Sequence, residues 1–137
     1  MWALIPSIPS IKREMPYRYR LEGVECEECG YRTLPSRMVC PRCGSRKMKR
    51  ILLPRKGRVL YHTTLHATPR GYEFYEPYVL ALVELDDGTR VFTQLTDVDP
   101  AQVSPGMEVE VVLRKVRVGG EGGPIAYGLK FRPRLKR

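Results

Sequence analysis

The chain has 137 residues, of which 42% are hydrophobic and 28% are charged, with a formal net charge of +9. This balance is typical of a folded soluble protein. The length allows one ordinary domain, or a small domain joined to a module that depends on a metal ion or disulfides for its stability. The longest apolar stretch, near residues 79–83, is far too short to span a bilayer, and the apolar N-terminus lacks the basic residues of a signal peptide, so we expect a cytoplasmic protein.

The positive charge is spread unevenly along the chain. Residues 1–56 carry 13 Lys and Arg against 5 Asp and Glu, residues 57–129 carry 6 against 10, and residues 130–137 carry 5 basic residues alone. The sequence therefore predicts a basic head, an acidic body and a basic tail. Basic surface attracts anions, which include nucleic acid, phosphorylated cofactors and acidic faces of proteins.

Residues 1–20 are predicted to form a helical docking segment. A short helix is expected over about residues 7–15, with Ser7 or Ser10 as the N-cap and Pro16 as the stop. Because an isolated helix of this length is marginal in water, we expect it to dock on the rest of the chain or on a partner.

Residues 21–56 are predicted to form a zinc ribbon and a linker. They contain all four cysteines as two Cys-x-x-Cys-Gly motifs, at Cys26, Cys29, Cys40 and Cys43. Two residues between cysteines let both sulfurs of a tight turn reach one tetrahedral ion, and the ten residues between the motifs suit the hairpin of a rubredoxin-like zinc ribbon. We expect one structural zinc ion, because four thiolates leave no open position for catalysis. The alternatives are a redox dithiol, an iron centre or disulfides.

Residues 57–137 are predicted to form an OB-fold with a basic C-terminal tail. Strands are expected over residues 57–65, 78–85, 89–96, 107–118 and 125–131. Asp86-Asp87-Gly88 predicts a tight hairpin, residues 97–103 a short helical turn or loop, and residues 68–76 and 119–124 loops. Five strands with a short helical element after the third are the OB-fold order. The predicted fold class is mainly β, with a short N-terminal helical segment, a rubredoxin-like zinc ribbon and a C-terminal five-stranded OB-fold barrel.

Candidates for catalysis are few. His62 and His66 are the only histidines and share one face at the first predicted strand of the barrel, but no carboxylate or cysteine motif brackets them. The favoured interpretation is that they belong to a polar strand face, or are partly buried histidines whose hydrogen bonds are satisfied. The glycine run at residues 119–123 lacks the lysine and the helix of a P-loop. We find no nucleophile, general base or open metal site, so we do not expect an enzyme.

A zinc ribbon beside an OB-fold also suggests a nucleic-acid-binding protein, which we keep as the alternative function. OB-folds bind single strands on the face of strands 2 and 3 with aromatic and basic side chains. Here each of these strands offers one aromatic, Tyr78 and Phe92, within a net-acidic body. The aromatics concentrated in residues 72–78 are expected to cap the barrel in part, and any that stay exposed would indicate a protein interface.

Six stretches of the sequence, residues 17–23, 35–41, 77–86, 94–97, 105–107 and 127–133, match the pattern of a known family. Over nearly its whole length the chain resembles the small archaeal and bacterial proteins known as domain of unknown function 35. That family has an N-terminal helical segment, a rubredoxin-like zinc ribbon and an OB-fold. The chain departs from the pattern at residues 34–37, where relatives show an aromatic residue followed by two prolines, and this departure leaves the cysteines untouched.

The resemblance implies a non-catalytic scaffold beside acyl-CoA enzymes. Archaeal proteins of this kind look like the subunit that joins acetoacetyl-CoA thiolase to hydroxymethylglutaryl-CoA synthase in the mevalonate pathway, and bacterial relatives accompany thiolase-like aldolases and hydratases. A shared CoA site would let the synthase draw the unfavourable condensation forward. We expect residues 1–20 and the ribbon to dock on a thiolase-type partner, with Arg37, Arg46 and Lys47 as candidate contacts for CoA phosphates.

Overall fold

The structure, a computed structural model, describes residues 8–69, 72–118 and 121–136. The helices and strands of these ranges are α1 (Ile8–Arg20), β1 (Glu22–Cys26), β2 (Arg32–Thr33), β3 (Met48–Leu52), β4 (Lys56–Leu65), β5 (Tyr78–Leu85), β6 (Arg90–Leu95), β7 (Glu108–Val118) and β8 (Ile125–Pro133). Two 3₁₀-helices, Glu73–Tyr75 and Pro100–Gln102, lie in the connections. None of the described helices has the length and apolar character that a membrane crossing needs.

The strands form two sheets. In the first sheet β1 lies between β2 and β3, and both pairings are antiparallel. The other five strands close into a barrel in the order β4-β5-β6-β8-β7, in which only the pairing of β6 with β8 is parallel, at Leu95 and Phe131. Closure with this strand order is the OB-fold architecture. The predicted fold class is therefore confirmed.

The barrel core follows from strict alternation along its strands. In β5 the residues Val79, Ala81, Val83 and Leu85 are buried, while the residues between them are partly exposed. Because successive side chains of a strand point to opposite faces, this run of small branched residues fills the barrel from one wall. The opposite walls supply Val59, Val91, Leu95, Val109, Val111 and Phe131.

The apolar core extends from the barrel into the ribbon. Leu21 and Leu53, which flank the ribbon, are 2% and 4% exposed and belong to the same cluster as the barrel residues, and Leu34 and Ile51 pack against it. The Leu53 N–H donates to the Leu21 carbonyl at 3.1 Å. Segments 21–56 and 57–137, predicted as ribbon with linker and as barrel, thus share one core in this structure.

Charged side chains also join the ribbon to the barrel. Arg32 on β2 bonds Glu25 on β1 and reaches Asp87, in the hairpin between β5 and β6, at 2.8 Å. Lys49 on β3 lies 3.0 Å from the Glu25 carboxylate. Lys49 and Arg32 hold the pKa of Glu25 below its ordinary value. The ribbon is therefore fixed on the barrel by an ion-pair network as well as by packing.

The predicted end of the N-terminal helix is wrong, because α1 continues through Pro16 to Arg20. Pro16 lacks an N–H and forgoes the bond to the carbonyl four residues earlier. Packing of α1 against β8 and β1 offsets this loss, and an ion pair of 2.6 Å between Glu14 and Arg18 spans the proline. Ser10 lies inside the helix instead of capping it. Residues 1–7, which include Ser7, are outside the described residues.

The other predicted elements agree with the structure to within one or two residues. Gly88 has a φ of +87° in the predicted hairpin, and its N–H donates to the Leu85 carbonyl at 2.9 Å. The predicted turn within residues 97–103 contains a 3₁₀-helix, and the Asp99 carboxylate accepts a hydrogen bond from the Ala101 N–H at 3.0 Å. The predicted loops at 68–76 and 119–124 include residues 70–71 and 119–120, which are outside the described residues.

A buried lysine lies on β8. Lys130 is 2% exposed, and its Nζ has no hydrogen-bond partner among the described residues but lies 3.7 Å above the centre of the Tyr75 ring. The Tyr75 hydroxyl in turn donates to the Lys115 carbonyl, which holds the ring in place. Burial, together with the charge of Arg114, lowers the pKa of Lys130 to about 8. An ammonium in this position costs folding free energy that the cation–π contact offsets only in part.

Stability should therefore rise with pH through the titration of Lys130. Below pH 8 the lysine is charged in both folded and unfolded chains, so its burial cost is fully present. Between pH 8 and the ordinary lysine pKa of about 10.4 the folded chain has lost the proton while the unfolded chain still holds it, so the free energy of unfolding increases. We expect Lys130→Met to remove this increase in urea unfolding measured from pH 7 to pH 10. Exposed Lys115→Met should keep the wild-type slope, and equal slopes for Lys130→Met and the wild type would contradict the assignment.

Candidate metal centre and exposed surfaces

The two cysteine motifs form matching turns. The Cys26 N–H donates to the Tyr31 carbonyl at 2.9 Å, and the Cys40 N–H donates to the Ser45 carbonyl at 2.8 Å. The glycine after each pair, Gly30 or Gly44, has a φ above +70° and donates its N–H to the carbonyl of the first cysteine. A Cβ at either glycine would meet open space, so the left-handed backbone is what requires glycine there. The repeated geometry explains the repeated sequence motif.

The turns bring the four sulfurs into one cluster. Sγ–Sγ distances are 3.5 Å for Cys26 with Cys43 and for Cys29 with Cys40, and all four sulfurs lie within 4.8 Å of one another. Four sulfurs at about 2.3 Å from a tetrahedral zinc ion lie about 3.8 Å apart, so the cluster fits one ion. The separations are far above the length of a disulfide bond, about 2.05 Å, and all four cysteines are free.

The thiols need a cation in order to ionise together. Burial raises the pKa of Cys40, but hydrogen bonds from the Cys43 and Arg42 amides outweigh it and leave the pKa at about 6. For Cys43, a bond from the Ser45 amide lowers the pKa, but burial and the three neighbouring sulfurs outweigh that bond and raise it to about 12. Without a metal the cluster retains protons, whereas a divalent ion stabilises all four thiolates at neutral pH. This donor set is closed and therefore structural.

The candidate phosphate contacts lie on the surface of the ribbon. Arg37 is exposed in the segment between β2 and Cys40, and Arg46 and Lys47 are exposed just after Cys43. Lys47 Nζ lies 3.6 Å from the Glu28 carboxylate. Arg37 and Arg46 have no ion pair within the described parts of the chain. Their charges are thus available to an anion, while that of Lys47 is partly neutralised.

Of the five basic residues predicted to form the tail at residues 130–137, two are paired with acidic residues of the barrel and a third is buried. Lys130 is buried, Arg132 lies 3.0 Å from Glu110, and Arg134 lies 3.4 Å from Glu108. The acidic residues come from β7, which pairs with β8 along this stretch. The charge count of the segment therefore overstates its attraction for anions.

An apolar row crosses three strands on the outer face of the barrel. Tyr61 on β4 lies opposite Leu82 on β5, which lies opposite Phe92 on β6. Tyr61 is 72% exposed and Phe92 is 71% exposed. Sequence alternation indicates that Leu82 and Phe92 point outward, but the bulge between Val59 and Tyr61 brings Tyr61 into the row, and only the strand register reveals it.

The predicted histidine and aromatic features lie near this row and above the barrel. His62 lies within β4 and His66 directly follows its last residue, and both are exposed. Tyr72 stacks on Tyr78 with ring centres 6.4 Å apart, and Tyr75 covers Lys130. Tyr75 therefore covers a buried residue of the barrel wall, in line with the prediction that part of this aromatic segment caps the barrel.

A second apolar surface surrounds α1. Ile8 and Met15 are exposed on the helix, and none of its residues is fully buried. Beside its C-terminal end lies an open crevice of about 310 Å³. The crevice is lined by α1, by the ribbon at Leu34 and Pro35, and by barrel residues that include Phe92 and Leu129. Helix, ribbon and barrel meet there.

Zinc should be required for the ribbon and for full stability of the barrel. We expect about one zinc ion per chain by elemental analysis, and loss of that ion in Cys40→Ser. Exposing Leu21 and Leu53 should cost roughly 3–6 kcal/mol, which corresponds to a fall in melting temperature of roughly 10–25 °C. Met38→Ser, an exposed change within the same hairpin, should bind zinc and melt like the wild type. Full zinc occupancy or unchanged melting in Cys40→Ser would overturn this assignment.

Comparison with known proteins agrees with this architecture. Residues 13–49 match the family model of the ChsH2 rubredoxin-like zinc ribbon domain, and residues 51–114 match that of the ChsH2 C-terminal OB-fold domain. The match supports zinc over an iron centre or a redox dithiol in the cysteine cluster.

Three similar proteins illustrate the relationship. A DUF35 domain-containing scaffold protein of Pyrococcus furiosus is 47% identical over 124 residues, which cover 90% of each chain. Benzoylsuccinyl-CoA thiolase subunit BbsA of Geobacter metallireducens is 30% identical, covering 88% of this chain and 79% of the relative. The solved structure of an Ltp2-ChsH2(DUF35) aldolase superposes with a TM-score of 0.67 at 30% identity, covering 91% of this chain and 89% of the other. With its zinc ribbon, its OB-fold barrel and these relatives, the chain belongs to the DUF35 family.

Proposed function

We propose that the chain is a non-catalytic scaffold subunit of a cytoplasmic acyl-CoA enzyme assembly, which joins acetoacetyl-CoA thiolase to hydroxymethylglutaryl-CoA synthase in the mevalonate pathway. The single observation that carries the proposal is the relationship over most of the chain to proteins named as scaffold and as thiolase subunit. The solved relative belongs to an Ltp2-ChsH2(DUF35) aldolase. A subunit that bridges two enzymes needs docking surfaces and no reactive group of its own.

The structure supports this role with two apolar surfaces, which adjoin at Phe92 in the crevice beside α1. One surface is formed by α1, with exposed Ile8 and Met15, and by the neighbouring ribbon. The other is the row of Tyr61, Leu82 and Phe92 on the barrel. Exposed aromatics are enriched at protein interfaces. We assign residues 1–20 and the ribbon of residues 21–56 to the thiolase-type partner, and the barrel of residues 57–137 to the synthase.

Co-purification tests the bridging role. The tagged chain should retain both untagged enzymes from the same organism when all three are co-expressed. The complex should remain intact during gel filtration, with its mass measured by light scattering. The two enzymes mixed without this chain should not form a complex. Retention of neither enzyme by the folded, zinc-loaded chain would overturn the proposal.

The alternative function, nucleic-acid binding, is favoured by one observation. Tyr61 and Phe92 lie on the OB-fold face that binds single strands in other proteins, with Arg58 and Arg90 on the same strands. However, Arg90 lies 3.9 Å from Glu84, so the local positive charge is small. Retention of single-stranded nucleic acid that weakens steeply with salt, without any bound enzyme, would favour this alternative.

CoA binding in the assembled complex tests the ribbon arginines. Arg37→Ala and Arg46→Ala should each weaken CoA about tenfold, since each would remove a charged hydrogen bond to a phosphate. Lys47→Ala should have a smaller effect, because Glu28 already neutralises part of its charge. Isothermal titration measures the change. Arg50→Ala, an exposed arginine on β3, is the matched control, and affinity unchanged in both arginine variants would remove these residues from the CoA site.

A further inference from the structure

The second half of β4 is an exposed strand edge. β4 pairs with β5 as far as Leu65, but with β7 only over Lys56–Arg58. Val59 still bonds the backbone just before β7, but residues 60–65 form no backbone hydrogen bond on that side within the described residues. The N–H and C=O groups that point away from β5 are therefore open to an added strand.

This stretch is accessible on both faces as well as along its edge. Tyr61, His62 and Thr63 are exposed one after another. Because side chains of a strand alternate between faces, a strand in a closed barrel wall would expose at most every second residue. Three exposed residues in succession show that both faces of β4 are accessible at this point, although the strand stays paired with β5. Side chains of a partner segment can therefore contact β4 from either face.

The edge lacks the features that usually prevent strand addition. No Asp, Glu, Lys or Arg occurs from Val59 to Pro69, and residues 60–65 contain no proline. The edge of β7 that faces β4 provides a contrast. Beyond Glu110 this edge is not paired with β4, and the strand carries Arg114, Lys115 and a bulge after Lys115. Strand edges that bind no partner are usually protected against strand addition by such charges and bulges. The β7 edge is protected in this way, whereas the β4 edge is not.

Side-chain contacts would be supplied by the apolar row beside the edge. Tyr61 belongs both to the edge and to the row that continues through Leu82 to Phe92. A strand added to β4 would lie next to Tyr61, so its side chains would reach this row. Large exposed aromatics at such a position contribute much of the binding energy in protein interfaces.

We propose that residues 60–65 of β4 receive an extended segment of the enzyme that docks on the barrel, which adds to the sheet as a further strand. The inference rests on the proposed function, since the occupant is a segment of the synthase, the enzyme to which the barrel is assigned. The segment carries aliphatic or β-branched side chains and few charges, because the edge offers no charge to pair with them. A second copy of this chain is the competing occupant, and exchange measured on dilution of the chain alone distinguishes the two.

The position of the edge separates it from the ribbon. β4 leaves the ribbon at Lys56, and residue 60 lies four residues further along, which is roughly 13 Å along the strand. A strand bound at residues 60–65 therefore begins beyond the ribbon and extends away from it, while the row beside it ends at Phe92, which also lines the crevice next to α1.

Hydrogen exchange and surface variants test the proposal on the three-protein complex. Amides of residues 60–65 should exchange at least tenfold more slowly in the complex than in the chain alone. Tyr61→Lys should weaken binding of the synthase about tenfold or more while the thiolase stays bound, and Phe92→Ala should weaken the synthase by a similar factor. Tyr127→Lys, an exposed aromatic on β8 outside the row, should retain both enzymes, and all three variants should bind zinc.

The outcomes separate the two proposals. If the wild-type chain retains neither enzyme, the bridging function itself fails. If it retains both but residues 60–65 exchange at the same rate in the free and bound chain, or both row variants bind like the wild type, the strand-addition site is overturned. Protection of these amides in the chain alone, lost on dilution, would show pairing between copies and would equally overturn it.

Discussion

The shared apolar core of ribbon and barrel is the constraint on which the rest of the structure depends. Leu21 and Leu53 enter the barrel cluster from the two chain segments that flank the ribbon. They can hold these positions only while β1 and β3 are paired, and that pairing starts at Cys26, a member of the sulfur cluster. The metal therefore acts on the barrel through the strands that it fixes. A ribbon on a loose linker would have no such influence.

Most of the fold follows from short-range rules in the sequence. Cys-x-x-Cys-Gly dictates a turn that aims two sulfurs at one point, and alternation along β5 dictates which side chains fill the barrel. Asp86-Asp87-Gly88 predicts its hairpin because glycine accepts the positive φ that the turn needs. Each of these features depends on residues close together in the chain. The family resemblance then predicts how these features combine into one architecture.

What the sequence could not predict depends on residues far apart in the chain. The helix passes Pro16 because β1 and β8 support it, which a local stop rule ignores. Part of the charge of the basic tail is offset by Glu108 and Glu110, which the strand register brings beside Arg134 and Arg132. The row through Tyr61 depends on a bulge, and Lys130 is buried because a distant tyrosine covers it. Pairing, register and burial across the barrel are the missing information in every case.

The closed thiolate shell has a consequence for the life of the protein before it meets any partner. A newly made chain without metal would leave the leucines beside the ribbon exposed, together with the unpaired backbone of residues 22–52. Such surface is what proteases and chaperones recognise in incompletely folded proteins. Degradation would then remove empty chains, and only metal-loaded chains would accumulate. In this way the supply of zinc in the cell sets how much of the chain is available for assembly.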